Sequence, residues 1–216
     1  MRKVIKMRST PWPAIFLALL ATLCLLAAAA APAGAQIFKD EIFQVGPGKP
    51  IDSKLKVKVG QPAPDFTLPS IKGERVSLSQ FRGRKNVVLS FVPAAWTPVC
   101  SEQWPGYNLA REVFEERDAL ILGITVDNLG TLHAWTQAMG GVWFTVLSDF
   151  WPHGAVAQKY GLLRGDGMSE RALVVIDKQG VIRYIDVHDF NTRPDLSLLV
   201  RALDLITKEG GGLSRP

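Results

Sequence analysis

Cysteine is scarce in this chain: its 216 residues include only two, Cys24 and Cys100. Two cysteines cannot supply the disulfide framework that holds many small secreted domains together. The fold must therefore come from apolar burial. A hydrophobic content of 47% in a chain of this length is enough for one domain with a well-filled core.

Several other features of known functional sites are missing too. The three histidines, His133, His153 and His188, lie far apart and show no spacing typical of metal ligands. The chain lacks the G-x-S-x-G turn of serine hydrolases and a glycine-rich phosphate-binding loop. We therefore expect neither a metal nor a cofactor.

The first 35 residues contain no acidic residue. They begin with four cations, Arg2, Lys3, Lys6 and Arg8. An apolar run follows at 14–31, and Ala33-Gly34-Ala35 offers an A-x-A cleavage site. This order predicts a signal peptide at 1–35 and an exported protein, periplasmic or otherwise extracytoplasmic. Because the apolar run is about the shortest that spans a bilayer, an uncleaved membrane anchor is the alternative.

Removal of this segment would change both the charge and the cysteine count. The net charge is +5, and losing the four cations leaves +1, so the composition does not indicate a nucleic-acid partner. Cys24 would be lost as well, which leaves Cys100 without a partner in its own chain in an oxidising compartment. Cys100 is therefore a candidate for chemistry and not for a structural disulfide.

The remaining chain divides into three parts. Residues 36–58 mix Lys, Asp, Pro and Gly with little periodicity, and we interpret them as a leader or linker lying over the domain. Residues 59–208 have regularly spaced apolar segments and are predicted to form the domain. Residues 209–216 include Gly210-Gly211-Gly212 and are predicted to be a flexible tail.

Within residues 59–208 the hydrophobic pattern predicts an α/β domain. Hairpins are expected around Lys72-Gly73 and Asp177–Gly180. Buried strands are expected at 86–92, 119–126 and 143–149, and helices at 102–118, 129–139, 155–160 and 194–208. This order predicts a central mixed β-sheet flanked by helices, with an N-terminal β-hairpin extension, and resembles the thioredoxin-like fold.

Cys100 follows the first buried strand and the loop Pro-Ala-Ala-Trp-Thr-Pro, so a helix should begin near Pro98 with Thr97 as its N-cap. Unpaired N–H groups and the helix dipole at that end favour a thiolate, the reactive form of cysteine. The alternative is a buried cysteine that acts as a small apolar residue.

Two functions that this fold can serve are kept as alternatives, a disulfide oxidoreductase and a non-enzymatic binding domain. Thiol–disulfide oxidoreductases carry C-x-x-C after a Trp, but here Thr97 takes the place of the first thiol after Trp96. A disulfide oxidoreductase is therefore the second hypothesis. A non-enzymatic binding or chaperone domain with the same fold is the third.

The stretch PAAWTPVC, from Pro93 to Cys100, fits the pattern P-x-x-x-T-x-x-C. Together with VGQPAPDFTLPSIKGERVSLSQFRG, ERALVVIDKQGVIRY and HDFNTRPDLSLLVRAL, it resembles the peroxiredoxins of the alkyl hydroperoxide reductase/thiol-specific antioxidant family over residues 59–205. The resemblance implies a peroxidase that reduces hydrogen peroxide or organic hydroperoxides. With one cysteine left, it implies the one-cysteine type, reduced by an external thiol or a thioredoxin-like protein, with a homodimer as an expected form.

The same resemblance assigns roles to particular residues. It implies that Cys100 is the peroxidatic cysteine, that Thr97 hydrogen-bonds the peroxide, and that Pro93 shields the sulfur from water. Arg171, in the stretch Ser-Glu-Arg-Ala-Leu-Val-Val, matches the family's distant catalytic arginine. Supporting roles are expected for two further residues: Gln103 would orient the loop and Arg171, and Trp96 would line the mouth of the pocket.

Overall fold

A computed structural model describes residues 38–210, with side chains described as far as residue 207. The signal peptide predicted at 1–35, and most of the tail predicted at 209–216, lie outside the described residues. Within the described range, no helix has the length and apolar character needed to cross a bilayer.

Seven strands form two sheets in the described part of the chain. The antiparallel hairpin consists of β1 (Thr67–Pro69) and β2 (Arg75–Ser77). The central sheet has the order β5-β4-β3-β6-β7. Its strands are β3 (Asn86–Phe91), β4 (Ala119–Thr125), β5 (Thr145–Ser148), β6 (Arg171–Ile176) and β7 (Ile182–His188).

The helices complete an α/β architecture. They are α1 (Pro98–Leu109), α2 (Arg111–Glu115), α3 (Leu129–Ala138), α4 (Ala155–Tyr160) and α5 (Leu196–Gly210). Strand β3 pairs with β4 in parallel and with β6 antiparallel. The predicted mixed sheet with flanking helices and an N-terminal hairpin is therefore confirmed.

The helix expected at 102–118 is wrong in its extent. The chain instead forms α1 and α2, which are separated at Ala110, where φ is −107° and ψ is 13°. The interruption changes the helical phase. Phe114 in α2 is fully buried, whereas Leu109 at the end of α1 is 94% exposed.

The sheet is buried at its centre because β3 and β6 consist largely of apolar, β-branched or aromatic residues. Every residue of these two strands is buried. In the register, Phe91 at the end of β3 lies opposite Ala172, near the start of β6. Arg171 is thus brought to the end of the sheet at which β3 runs into the loop that leads to Cys100.

Candidate active site

Cys100 lies in the first turn of α1, as the sequence predicts. Thr97 precedes the helix in an extended conformation, and Pro98 occupies the first helical turn, where a missing N–H costs nothing. The Thr97 carbonyl accepts the first helical hydrogen bond from Ser101 N at 2.9 Å. The side chain of Cys100 is fully buried, and the sulfur is a free thiol.

The guanidinium group of Arg171 reaches this sulfur. Arg171 Nη2 lies 3.5 Å from Cys100 Sγ, and the Arg171 residue is only 2% exposed. Among the described residues, no carboxylate forms an ion pair with Arg171. A buried cation is costly unless a negative charge compensates it, and a thiolate on Cys100 would supply that charge.

Two acceptors orient the guanidinium group. Arg171 Nη1 donates to Gln103 Oε1 at 2.7 Å, and Nη2 also donates to the carbonyl of Phe190 at 3.2 Å. Within the described residues, Arg171 Nε is buried without a hydrogen-bond partner. The expected contact between Gln103 and Arg171 is therefore present, and one donor of the arginine is free for a ligand.

Gln103 is itself fixed by a buried polar group. Its Nε2 donates to the hydroxyl of Tyr107 at 2.9 Å, one helical turn further along α1. Burial raises the pKa of Tyr107, so this hydroxyl stays protonated at neutral pH. Tyr107 can therefore accept from Gln103 and donate to Ser90 Oγ, 3.5 Å away.

Thr97 occupies the N-cap position, but its side chain does not cap the helix, which corrects that part of the sequence-based expectation. Its hydroxyl donates instead to the carbonyl of Ala94 at 2.9 Å, three residues back in the same loop. This bond closes the loop before Cys100. It uses the hydroxyl hydrogen and leaves the oxygen lone pairs of Thr97 available to accept a hydrogen bond from a ligand.

The loop before Cys100 is held by hydrogen bonds to two other parts of the chain. Pro93 is buried, and the preceding Val92 carbonyl accepts from Ser169 Oγ at 2.9 Å. Ala95 N donates to Asp127 Oδ2 at 2.8 Å. Trp96 is half-buried and has a positive φ of 61°, which is uncommon for a residue other than glycine and is tolerated where neighbouring contacts hold the backbone.

The sequence analysis missed several residues that build this site. Asp127 lies two residues after the end of β4, and this position at the carboxyl end of a parallel strand is a signal that could have found it. Ser101, which directly follows Cys100, accepts from Trp135 Nε1 at 3.1 Å. Phe190 provides only a backbone carbonyl, so no side-chain pattern could have indicated it.

The aromatic residues behind α1 belong to the core. Trp104 is fully buried, lies 4.8 Å from Trp135 between ring centroids, and meets Phe144 edge-on at 5.6 Å. Its Nε1 donates to Ser90 Oγ at 3.3 Å. This packing fixes the helix that carries Cys100 against the sheet.

Comparison of the sequence with known proteins identifies a family. A model of the AhpC/TSA family matches residues 59–185. The alkyl hydroperoxide reductase E of Mycobacterium bovis is 37% identical over 152 residues, which cover 70% of this chain and 99% of that protein. Peroxiredoxin TSA1-B of Candida albicans is 33% identical over 156 residues, covering 68% and 78%.

Solved structures of peroxiredoxins are similar to this chain as well. The reduced 2-Cys peroxiredoxin of Plasmodium vivax superposes with a TM-score of 0.67 at 30% identity, covering 72% of this chain and 85% of that one. AhpC of Mycobacterium bovis, at 21% identity and a TM-score of 0.65, covers 74% and 98% and supports the fold. Since the family match spans more than half of the chain and includes both Cys100 and Arg171, this protein belongs to the AhpC/TSA family of peroxiredoxins and is a thiol-dependent peroxidase.

Proposed function

We propose that this protein is an exported peroxidase that reduces hydrogen peroxide or organic hydroperoxides through one peroxidatic cysteine, Cys100, and is recycled by an external thiol. The observation that carries the proposal is the 3.5 Å contact between Cys100 Sγ and Arg171 Nη2. This contact joins a sulfur in the first turn of a helix to a buried cation that, among the described residues, forms no ion pair with a carboxylate.

In the first half-reaction the thiolate of Cys100 attacks one peroxide oxygen. An S–O bond forms while the O–O bond breaks, so the sulfur is oxidised by two electrons to a sulfenic acid and the peroxide is reduced. The other oxygen leaves with the electron pair of the broken bond and takes up a proton to become water or an alcohol. Donors of Arg171, including its unpartnered Nε, can stabilise the charge on that leaving oxygen.

The surrounding residues would assist this step in different ways. Thr97 would accept a hydrogen bond from the protonated peroxide oxygen, because its own hydrogen is donated to Ala94. Pro93, which is buried at the start of the loop before Cys100, would keep water from the sulfur. Gln103 would hold Arg171 in place through its 2.7 Å contact, and the half-buried Trp96 would line the entrance.

The second half-reaction needs a reductant. An external thiol would attack the sulfenic sulfur, form a mixed disulfide and release water, and a second thiol would then regenerate the Cys100 thiolate. The only other cysteine in the sequence is Cys24, which falls inside the predicted signal peptide. The processed chain would therefore lack a resolving cysteine, and an external thiol or a thioredoxin-like protein would be required.

Peroxide consumption with dithiothreitol as the reductant tests this function. We expect Cys100→Ser to lose all activity and Cys24→Ser, the matched control, to keep it. Retention of activity by Cys100→Ser would refute the proposal. A low rate of insulin reduction by the wild type would separate it from a disulfide oxidoreductase.

The absence of a resolving thiol has a further testable consequence. In excess peroxide without reductant, sulfenic Cys100 should react again and accumulate as sulfinic acid. Mass spectrometry of a proteolytic digest should then show two added oxygens on the peptide that contains Cys100. A persistent absence of added oxygen on that peptide would contradict the one-cysteine mechanism.

A further inference from the structure

Arg171 depends on a carbonyl that lies outside the part of the chain matched by the family. Phe190, which accepts from Arg171 Nη2 at 3.2 Å, belongs to the loop after β7, whereas the match ends at residue 185. The same Nη2 contacts Cys100 Sγ. The position of the Phe190 carbonyl therefore bears directly on where this nitrogen points.

Residues 48–52, Gly-Lys-Pro-Ile-Asp, hold this loop from the other side, and we refer to them as the strap. The carbonyl of Pro50 accepts from Phe190 N at 2.9 Å. Gly48 is bound twice by the Asn191 side chain: Gly48 N donates to Oδ1 at 2.8 Å, and Nδ2 donates to the Gly48 carbonyl at 2.9 Å. Three hydrogen bonds thus join the strap to two consecutive loop residues.

The ring of Phe190 is packed between the strap and a cation. A Cβ atom added at Gly48 would lie 2.6 Å from Phe190 Cδ1 and 2.8 Å from Cε1, distances at which something must move. The guanidinium carbon of Arg164 lies 4.6 Å from the Phe190 ring centroid, on a residue that is itself buried. With Phe190 only 7% exposed, the ring has little room to move away.

The strap also binds the residue that precedes Arg171. Glu170 is fully buried and accepts from Asp52 N at 2.6 Å and from Arg164 Nη1 at 2.8 Å. Arg164 Nη2 in turn donates to the carbonyl of Lys49 at 3.1 Å. The strap therefore contacts the backbone of Phe190, whose carbonyl accepts from Arg171, and the side chain of Glu170, which directly precedes β6.

We propose that the strap positions Arg171 against Cys100, with Gly48 and Asn191 as positioning residues that act through Phe190. The inference rests on the proposed role of Arg171 and extends it to residues on both sides of the family match. Gly48 is required because only a residue without a side chain allows the strap to approach the Phe190 ring. Asn191 is required because its amide binds both backbone groups of that glycine.

Gly48→Ala tests the proposal, with Gly46→Ala as the matched control. A Cβ at Gly46, two positions earlier and outside the strap, would meet no atom within 4 Å. We expect Gly48→Ala to lower the second-order rate constant with hydrogen peroxide by about 10- to 100-fold, as small misplacements of catalytic groups do. Gly46→Ala should react at the wild-type rate.

Asn191→Ala gives an independent measurement, because it removes both bonds to Gly48 without adding an atom. It should slow the peroxide reaction in the same direction. Both variants should also be combined with Arg171→Ala. If the strap acts through the arginine, neither should slow the reaction further once Arg171 is absent.

Two results would overturn the proposal. One is a wild-type peroxide rate in both Gly48→Ala and Asn191→Ala, even if their melting temperatures fall. The other is an equal loss of rate with and without Arg171. Failure of the proposed function looks different: there Cys100→Ser would remain active, whereas failure of the strap alone leaves Cys100→Ser inactive and Arg171→Ala slow.

Discussion

Replacement of Gln103 by leucine should separate orientation of Arg171 from its mere presence. Gln103 is 1% exposed, and its Oε1 accepts from Arg171 Nη1 at 2.7 Å. A hydrogen bond to a charged group contributes about 1.5–3 kcal/mol, and its loss leaves a buried donor unpaired. We therefore expect Gln103→Leu to lower the free energy of unfolding by about 2–3 kcal/mol.

Part of that free energy should also appear as a higher activation barrier for the reaction with peroxide. If about 1.4 kcal/mol of it serves to orient Arg171 in the transition state, the rate constant with peroxide falls about tenfold. Stopped-flow measurement of tryptophan fluorescence or of peroxide consumption would give this constant, and urea unfolding would give the stability.

Two matched variants control this experiment. Gln103→Glu keeps an acceptor for Arg171 Nη1, and the protonated Tyr107 hydroxyl can donate to it, so most of the rate should return. Tyr107→Phe removes only the partner of Gln103 Nε2 and should cause a smaller loss than Gln103→Leu. A wild-type rate for Gln103→Leu, or a glutamate variant no faster than the leucine variant, would refute this reasoning.

Two further predictions concern charge. Arg171→Ala should slow both alkylation of Cys100 by iodoacetamide at neutral pH and reaction with peroxide by about 100-fold or more, since it removes the cation 3.5 Å from the sulfur; an unchanged alkylation rate would exclude Arg171 from the site. Hydrogen bonds from Lys178 and Lys85 hold the pKa of Asp118 below its usual value of 3.8, so its stabilising effect is present above that pH and is lost as the pH falls through the lower value of the folded state. Because this carboxylate is partly exposed, Asp118→Asn should cost less than about 1 kcal/mol in urea unfolding at pH 7, and this cost should shrink as the pH is lowered below 3.8; a difference that grew in acid would contradict this sign.

Much of the local structure could be predicted from the sequence. The run Asn86–Phe91 reads as a buried strand because it is apolar and β-branched, and the structure shows it at the centre of the sheet. Thr97-Pro98 indicates a helix start, which places Cys100 in the first turn of α1. These predictions succeed because backbone preferences and hydrophobic spacing act over a few residues.

Local reasoning failed where two elements share one sequence pattern. The residues from 102 to 118 have helical spacing throughout, yet the helix is interrupted at Ala110 and Leu109 is exposed. The side chain of Thr97 offers another example. A threonine at a helix start usually caps the helix, but here the loop carbonyl of Ala94 competes for its hydroxyl.

The sequence by itself determined the fold class, the helix that carries Cys100 and the family signature around it. Only the tertiary structure decided which groups surround the sulfur, because these contacts depend on sheet register and loop packing. Arg171 lies 71 positions from Cys100 and arrives through the pairing of β3 with β6. Gly48 and Asn191 are 143 positions apart and meet only because the strap and the loop after β7 pack at the same edge of the sheet. No local sequence pattern predicts such a contact, because the folded sheet brings the two segments together.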